Sequence, residues 1–196
     1  MIELLAPERC AACDHSVEQA GFCASCAALV ERASDARAVF EYEGPVADAI
    51  QRFKFEDRTE LARPLGRRLA EEATRVAQGV DAVVPVPLHW RRRRSRGYDQ
   101  AALLARPVAR ALGVPLWLRR LRRVRSTPRQ VGLPRAARLR NLRGAFSCVP
   151  LRGSPSVLLV DDVATTGATL AAATQALRQA GAVEVVPLVL AVRLLR

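Results

Sequence analysis

The sequence predicts an α/β domain with a mostly parallel sheet flanked by helices, preceded by a small N-terminal metal-binding module. Three observations carry that expectation. Strand-like and helix-like segments alternate from Ala38 to the end of the chain, the order from which parallel sheets are built. Four of the five cysteines fall in the first 26 residues, as Cys10-x2-Cys13 and Cys23-x2-Cys26. The stretch Val157–Leu170, VLLVDDVATTGATL, reads as a buried strand, paired carboxylates, a Thr/Gly turn and a helix N-terminus. The module is expected over residues 1–31 and the α/β domain over 36–196.

The elements of the domain are expected in this order. Residues 38–42 form a short strand, and Gly44-Pro45 opens a helix to about Phe55. A second helix runs from about Glu60 to Gln78, with Leu61, Leu65, Leu69 and Ala73 at helical spacing. DAVVPVP, from Asp81, is a buried strand ending in a proline-stiffened turn. The helix from Asp99 to Leu112 contains Pro107, which should kink or split it. Residues 114–118 are a weak strand. Residues 119–133 read as a mobile basic loop, followed by a short helix over 134–142. Strands are expected at 145–149 and 157–161, and a helix at 168–180 ends at Gly181. Residues 183–192 close the sheet, with Pro187 pushing that strand toward an edge or a bulge. Ligands of such a sheet lie at the carboxyl ends of its strands.

Composition narrows the function classes. The chain has 196 residues, half of them hydrophobic, enough for one core and a small appendage. No apolar run approaches the roughly 18 residues of a membrane helix, and MIELLAPERC lacks the features of a signal peptide. No membrane insertion and a cytoplasmic location are expected. Net charge is +12, unevenly spread. Between Arg91 and Arg143 stand 17 arginines and one acid, Asp99, giving +16 and leaving −4 for the rest. Such a field attracts polyanions. The one lysine, Lys54, lies in IQRFKFED. It is either a solvated surface lysine or a site that needs a compact ammonium rather than a planar guanidinium.

Two doubled C-x2-C knuckles suit four thiolates arranged tetrahedrally around Zn²⁺. So short a segment cannot bury its own core, and the metal would supply its folding energy. A redox pair or disulfides are the competing reading. A cytoplasmic location disfavours stable disulfides, and a redox C-x2-C has no need to be doubled. Cys10, Cys13, Cys23 and Cys26 fill the coordination sphere, so His15 is left out and the zinc is structural. Cys148 stands in an apolar run and belongs to the core.

Asp161 and Asp162 can accept sugar hydroxyls or hold a divalent cation. The turn that follows leads into a helix whose first N–H groups have no internal partner and lie at the positive end of its dipole. A phosphate satisfies both. Gly167 lets the backbone approach closely, and Thr165, Thr166 and Thr169 add donors. The arrangement suits a ribose carrying a phosphate. Two basic segments supply further candidates. In the first, Val84–Ala101, Arg92, Arg94 and Arg96 are contacts for pyrophosphate or a nucleic-acid backbone, Tyr98 offers a stacking face, and the alternative is a solvated charge run. In the second, Arg123–Phe146, Thr127, Gln130, Arg138 and Asn141 are polar candidates on a loop that either closes over the site or is simply exposed.

VDDVATTGAT resembles the diphosphoribose-binding motif of the type I phosphoribosyltransferases. The resemblance implies that Asp161 and Asp162 bind the ribose of phosphoribosyl pyrophosphate (PRPP) with Mg²⁺ nearby, and that Ala164–Thr169, including Ala168, cradle the 5′-phosphate. The four-cysteine knuckle, FKFED, VPVPLH with R-G-Y-D-Q, T-x-x-Q-x-x-L with R-x-x-N-x-x-G-A-F, and VDDVATTGAT occur in that order. Together they resemble the ComF family of competence-associated proteins over nearly the whole chain. That resemblance implies a type I phosphoribosyltransferase-like fold, a zinc finger and a link to natural transformation. Asp99 departs from the pattern, where Asn is more usual, and an acid there weakens any phosphate role.

Two functions follow. The first is a PRPP-binding protein acting in the uptake or processing of transforming DNA, its partners single-stranded DNA and a helicase-type competence protein. The second is an active phosphoribosyltransferase that releases pyrophosphate, with Asp161 and Asp162 catalytic and Lys54, Thr127 and Gln130 among the pyrophosphate contacts. The +16 segment favours the first, and the intact acidic pair and loop favour retained PRPP binding.

Overall fold

Residues 8–31, 37–125, 142 and 144–193 are described by the computed structural model, without the side chains of Arg91 and Arg92. The N-terminal module holds β1 (Glu8–Arg9), β2 (Ser16–Val17) and α1 (Ala24–Ala27). Then come β3 (Ala38–Glu41), α2 (Gly44–Phe55), a 3-10 turn at Thr59–Leu61, α3 (Ala62–Val76), β4 (Ala82–Pro85), α4 (Trp90–Arg96) and α5 (Gln100–Leu112). The chain continues with β5 (Leu121–Arg123), β6 (Phe146–Cys148), β7 (Ser156–Ala164), α6 (Ala168–Gln179) and β8 (Glu184–Val192).

The central sheet has four strands in the order β3-β8-β7-β4, all parallel. Alternation along the strands divides its side chains between two layers. Val83, Leu158, Val160, Leu188 and Leu190 pack with Ile50 and Phe53 of α2, Leu65 and Leu69 of α3, and Leu104 and Val108 of α5. Val84, Val157, Leu159 and Val185 pack on the other face with Ala173 and Leu177 of α6 and with the β5–β6 hairpin. The N-terminal module does not stand apart from this core. Ala11 is fully buried in the first layer, and Phe22 meets Phe40 edge to face at 6.4 Å. Among the described residues no helix is long and apolar enough to cross a membrane.

Several elements differ from the expectation. β8 is an interior strand between β3 and β7, not an edge. Pro187 fits there because of where β3 begins. The N–H of Val189 donates to O of Arg37, the residue just before β3, and Ala38 pairs Val189. Two residues earlier, the nitrogen of Pro187 faces the same side before that ladder starts, so its missing N–H takes nothing from it. α5 is neither split nor ended by Pro107. The ring fits against Gly66 of α3, where a Cβ would come within 2.5 Å of Pro107 Cγ.

The basic run after β4 forms helix α4, which Gly97 ends at φ 77. The loop expected from residue 119 begins instead with β5, antiparallel to β6. The weak strand at 114–118 reduces to one bridge between Val83 and Leu116. The helix expected over 134–142 lies outside the described residues, apart from Leu142.

Candidate functional site

β7 is longer than the sequence suggests, and that length builds the site. The strand does not end at Asp161 but continues to Ala164, paired along β8 as far as Val192. β4 stops at Pro85, opposite Val160. Asp161 and Asp162 therefore sit on a strand that has outrun its neighbour, at the carboxyl end of the sheet. β8 pairs Asp161↔Val189 and Val163↔Ala191 in one constant register, while β4 has already ended beside Asp162. The backbone N–H of Asp162 donates to Asp161 Oδ1 at 2.9 Å, and Asp162 is buried.

Three further elements converge here. The last turn of α2 brings Lys54 Nζ to 2.8 Å from Asp162 Oδ1, with both side chains mostly withdrawn from solvent. The start of α5 brings Asp99, whose Oδ1 accepts from Ala102 N at 3.2 Å as a helix cap. Its Oδ2 accepts from Leu88 N at 3.1 Å, tying the turn after β4 to the helix. Asp99 is thus a capping acid, which accounts for its place in a segment otherwise free of acids. Burial pushes its carboxyl above the ordinary range, and Asp162's charge adds to that. Asp161 is raised more strongly, first by burial and then by the adjacent Asp162. Asp161 and Asp162 share one ammonium, Lys54, and a divalent cation or sugar hydroxyls would relieve the crowding of the two carboxyls. Asp161 and Asp162 are adjacent carboxyls that could hold Mg²⁺.

The turn after β7 leads into α6 through Gly167, in the left-handed region at φ 71. A groove of about 560 Å³ opens at Ala164, Thr165, Thr166 and Gly167 and runs between α6 and β8 over Val185, Pro187 and Val189. The acidic pair does not line it. Ala168 is buried as the first residue of α6, and Thr169 follows within its first turn.

In the N-terminal module the four sulfurs of Cys10, Cys13, Cys23 and Cys26 all lie within 4.8 Å of one another. The N–H of Cys23 donates to Cys10 Sγ at 3.3 Å. Burial alone would raise the Cys10 thiol. Backbone hydrogen bonds from Cys23, Cys13 and Ala12 outweigh it and bring the thiol down to about 6. Cys26 is pushed up by burial and by its three neighbouring sulfurs. A soft dication among them would offset that mutual repulsion, and four thiols at this spacing fit a closed tetrahedral site.

Comparison with known proteins places the chain in a family. A family model described as phosphoribosyl transferase domain matches residues 99–193. Competence protein F of Haemophilus influenzae is 38% identical over 152 residues, covering 74% of this chain and 66% of that protein. DNA utilization protein YhgH of Salmonella typhi is 39% identical over 153 residues, covering 75% of this chain and 67% of the relative. The chain belongs to this competence protein F and YhgH family. It spans about two thirds of the length of these relatives. Its fold is that of the type I phosphoribosyltransferases. Among solved structures, a glutamine PRPP amidotransferase from B. subtilis is 29% identical with a TM-score of 0.43, covering 70% of this chain and 26% of that one.

Within this family frame, the structure gathers some of the expected site residues and separates others. Asp161, Asp162 and Lys54 come together, and the turn 164–167 adjoins them along the chain. The arginines do not act as one patch. Arg94 and Arg96 stand about 200° apart around α4, so they point to different sides. Arg96 lies over the Phe55 ring at 4.7 Å, beside Lys54, while Arg94 is exposed. The backbone of Arg92 is in α4. Thr127, Gln130, Arg138 and Asn141 lie outside the described residues. Tyr98 is not a free stacking face, because its hydroxyl donates to Phe53 O and its ring is 5.9 Å from Phe53.

Asp14 was not legible as part of this architecture. It follows Cys13 directly and accepts from Arg52 and from Arg58, the latter at 2.9 Å. These arginines hold its carboxyl down at about 2, Arg58 contributing most. An acid immediately after a knuckle cysteine is the only trace it leaves in the sequence.

Proposed function

We propose that the chain binds PRPP with Mg²⁺ at the carboxyl end of β7 and that it serves the handling of incoming DNA. The observation that carries this reading is the extension of β7 beyond β4. It sets Asp161 and Asp162 at the carboxyl end of the sheet and leads directly into the Gly167 turn and the N-terminus of α6. In this reading the two carboxylates take the ribose hydroxyls and the metal. Ala164–Thr169 present backbone N–H groups and hydroxyls to the 5′-phosphate. Lys54 is placed to meet pyrophosphate oxygens at the same mouth. A structural Zn²⁺ held by Cys10, Cys13, Cys23 and Cys26 completes the N-terminal module.

The DNA role is supported by the relatives' names, competence protein F and DNA utilization protein. It is supported also by the charge of the segment. Arg93, Arg94, Arg119, Arg120, Arg122 and Arg125 are exposed on or beside α4 and β5. Single-stranded DNA is the polyanion proposed for them, with a helicase-type competence protein as a further partner. A reducing, cytoplasmic setting, where thiols remain available to a metal, is part of the same reading.

The second reading is turnover of PRPP, with pyrophosphate as leaving group. The complete acidic pair beside Lys54 favours it, since positioning and charge stabilisation are the main demands of such a transfer. Pyrophosphate release from Mg²⁺–PRPP by the unsubstituted chain separates the two readings, and one double variant tests the site they share. Asp161→Asn with Asp162→Asn removes PRPP binding and any pyrophosphate release while leaving single-stranded DNA affinity and its steep fall with salt unchanged. A salt-independent DNA affinity, or PRPP binding that survives both substitutions, refutes the corresponding half.

A further inference from the structure

The last turn of α2 is gripped residue by residue. Arg52 donates to Asp14, and its Nη1 reaches Ala12 O at 3.1 Å and Ala11 O at 3.5 Å, inside the first cysteine knuckle. Phe53 is fully buried, and its carbonyl accepts from the Tyr98 hydroxyl. Lys54 pairs with Asp162. Phe55 carries the guanidinium of Arg96. Arg58, just past the helix, closes a second hydrogen-bonded pair of contacts on Asp14, at 2.9 and 3.2 Å. Asp14 is thus clamped from the domain side by two arginines. From its own side it is fixed by its peptide bond to Cys13 and by a backbone in the left-handed region at φ 62.

From this chain of contacts we infer that the cysteine module is a brace for the acidic site. With the four sulfurs tied to a metal, the knuckle at 10–13 is rigid, Asp14 is held in place, and Arg52 and Arg58 lock the α2 terminus on it. That lock sets Lys54 against Asp162. Asp14, Arg52 and Arg58 are positioning residues, touching neither ribose nor phosphate. Release of the metal loosens the knuckle, frees the α2 terminus and withdraws Lys54 from β7. Its consequence for ligand binding rests on the PRPP reading, whereas the mechanical coupling does not.

Lys54 is the only lysine in the chain, so its amine is a specific reporter. The experiment measures the acylation rate of Lys54 by mass spectrometry in the full-length, zinc-loaded protein, alongside zinc content and Mg²⁺–PRPP affinity. Asp14→Asn is the first variant, because Asn accepts the left-handed backbone and is not a thiol ligand. Arg58→Gln, which removes one of the two clamps, is the second should the first not fold.

The expected result is acylation faster by about 5-fold or more in the variant at unchanged zinc content, with PRPP affinity lowered about 5- to 20-fold. Zinc removal should raise the rate in the unsubstituted chain similarly. In an Asp162→Asn background the added Asp14→Asn substitution should change the rate by less than about 2-fold, since the pair it acts through is gone. An unchanged rate in the single variant, or an equal increase in both backgrounds, overturns the brace. If the rates respond as expected but the unsubstituted protein does not bind PRPP, the brace stands and the PRPP reading falls.

Discussion

Lys54 Nζ lies 2.8 Å from Asp162 Oδ1 and ties the end of α2 to the carboxyl end of β7. The pair is mostly withdrawn from water, so each partner depends on the other. Lys54→Met leaves a buried carboxylate without its counter-charge. The expected loss of stability in urea unfolding is about 3 kcal/mol. A variant as stable as the parent would mean that Asp162 finds other compensation and that the pair is incidental.

Asp161 responds in the opposite sense. Its carboxyl is raised in the folded chain, by burial first and then by Asp162. Folding therefore favours its protonated form. That contribution is full below the ordinary value of 3.8 and is lost as pH rises through the raised folded value. At neutral pH the charged form costs stability in the absence of ligand. Asp161→Asn should raise the melting temperature of the ligand-free protein at pH 7 by about 2–4 °C per kcal/mol recovered. The gain should shrink to nothing below about pH 3.8. Calorimetric melts across that range check the sign, and a gain that persists in acid would contradict it.

Gly167 separates a steric from a conformational effect. A Cβ there meets no atom within 4 Å, but the residue sits at φ 71. Gly167→Ala is expected to cost about 1 kcal/mol from the backbone alone. It should also weaken PRPP binding more than that figure suggests, because the first N–H groups of α6 are re-aimed. Urea unfolding and PRPP affinity measured side by side test this, and equal small changes in both would mean that the turn does not hold the phosphate.

Gly66 presents the steric case. Its Cβ would fall 2.5 Å from Pro107 Cγ and 3.3 Å from Leu104 O. Gly66→Ala should destabilise the chain by about 1–3 kcal/mol in urea unfolding, despite the better helix propensity of alanine. A stabilised variant would show that α3 and α5 separate at no cost.

Much of the site was legible before the structure. The cysteine spacing, the acidic pair and the helical turn after it are short-range patterns, and short-range patterns survive folding with little change. What escaped the sequence is set by neighbours distant in the chain. Pro187 argued for an edge strand, but the late start of β3 makes its missing N–H harmless inside the sheet. Pro107 argued for a broken helix, but Gly66 gives it room. The length of β7 depends on β8 pairing beyond the end of β4, which no local signal in VLLVDD reports. Lys54 was conspicuous as the only lysine, but its partner was not, and neither was the link from Asp14 to the same helix end. The arginine run read as charge alone, while in the fold α4 spreads its members around a helix and Arg96 is spent on Phe55.

The central claim is that the carboxyl end of β7, with the turn that follows it, is a PRPP site. Its most direct test is calorimetric titration of Mg²⁺–PRPP into the zinc-loaded full chain and into the Asp161→Asn, Asp162→Asn double variant. The account predicts one saturable site in the parent and none in the variant, with both proteins folded. Equal titration curves for the two, or no heat of binding in the parent, would contradict it.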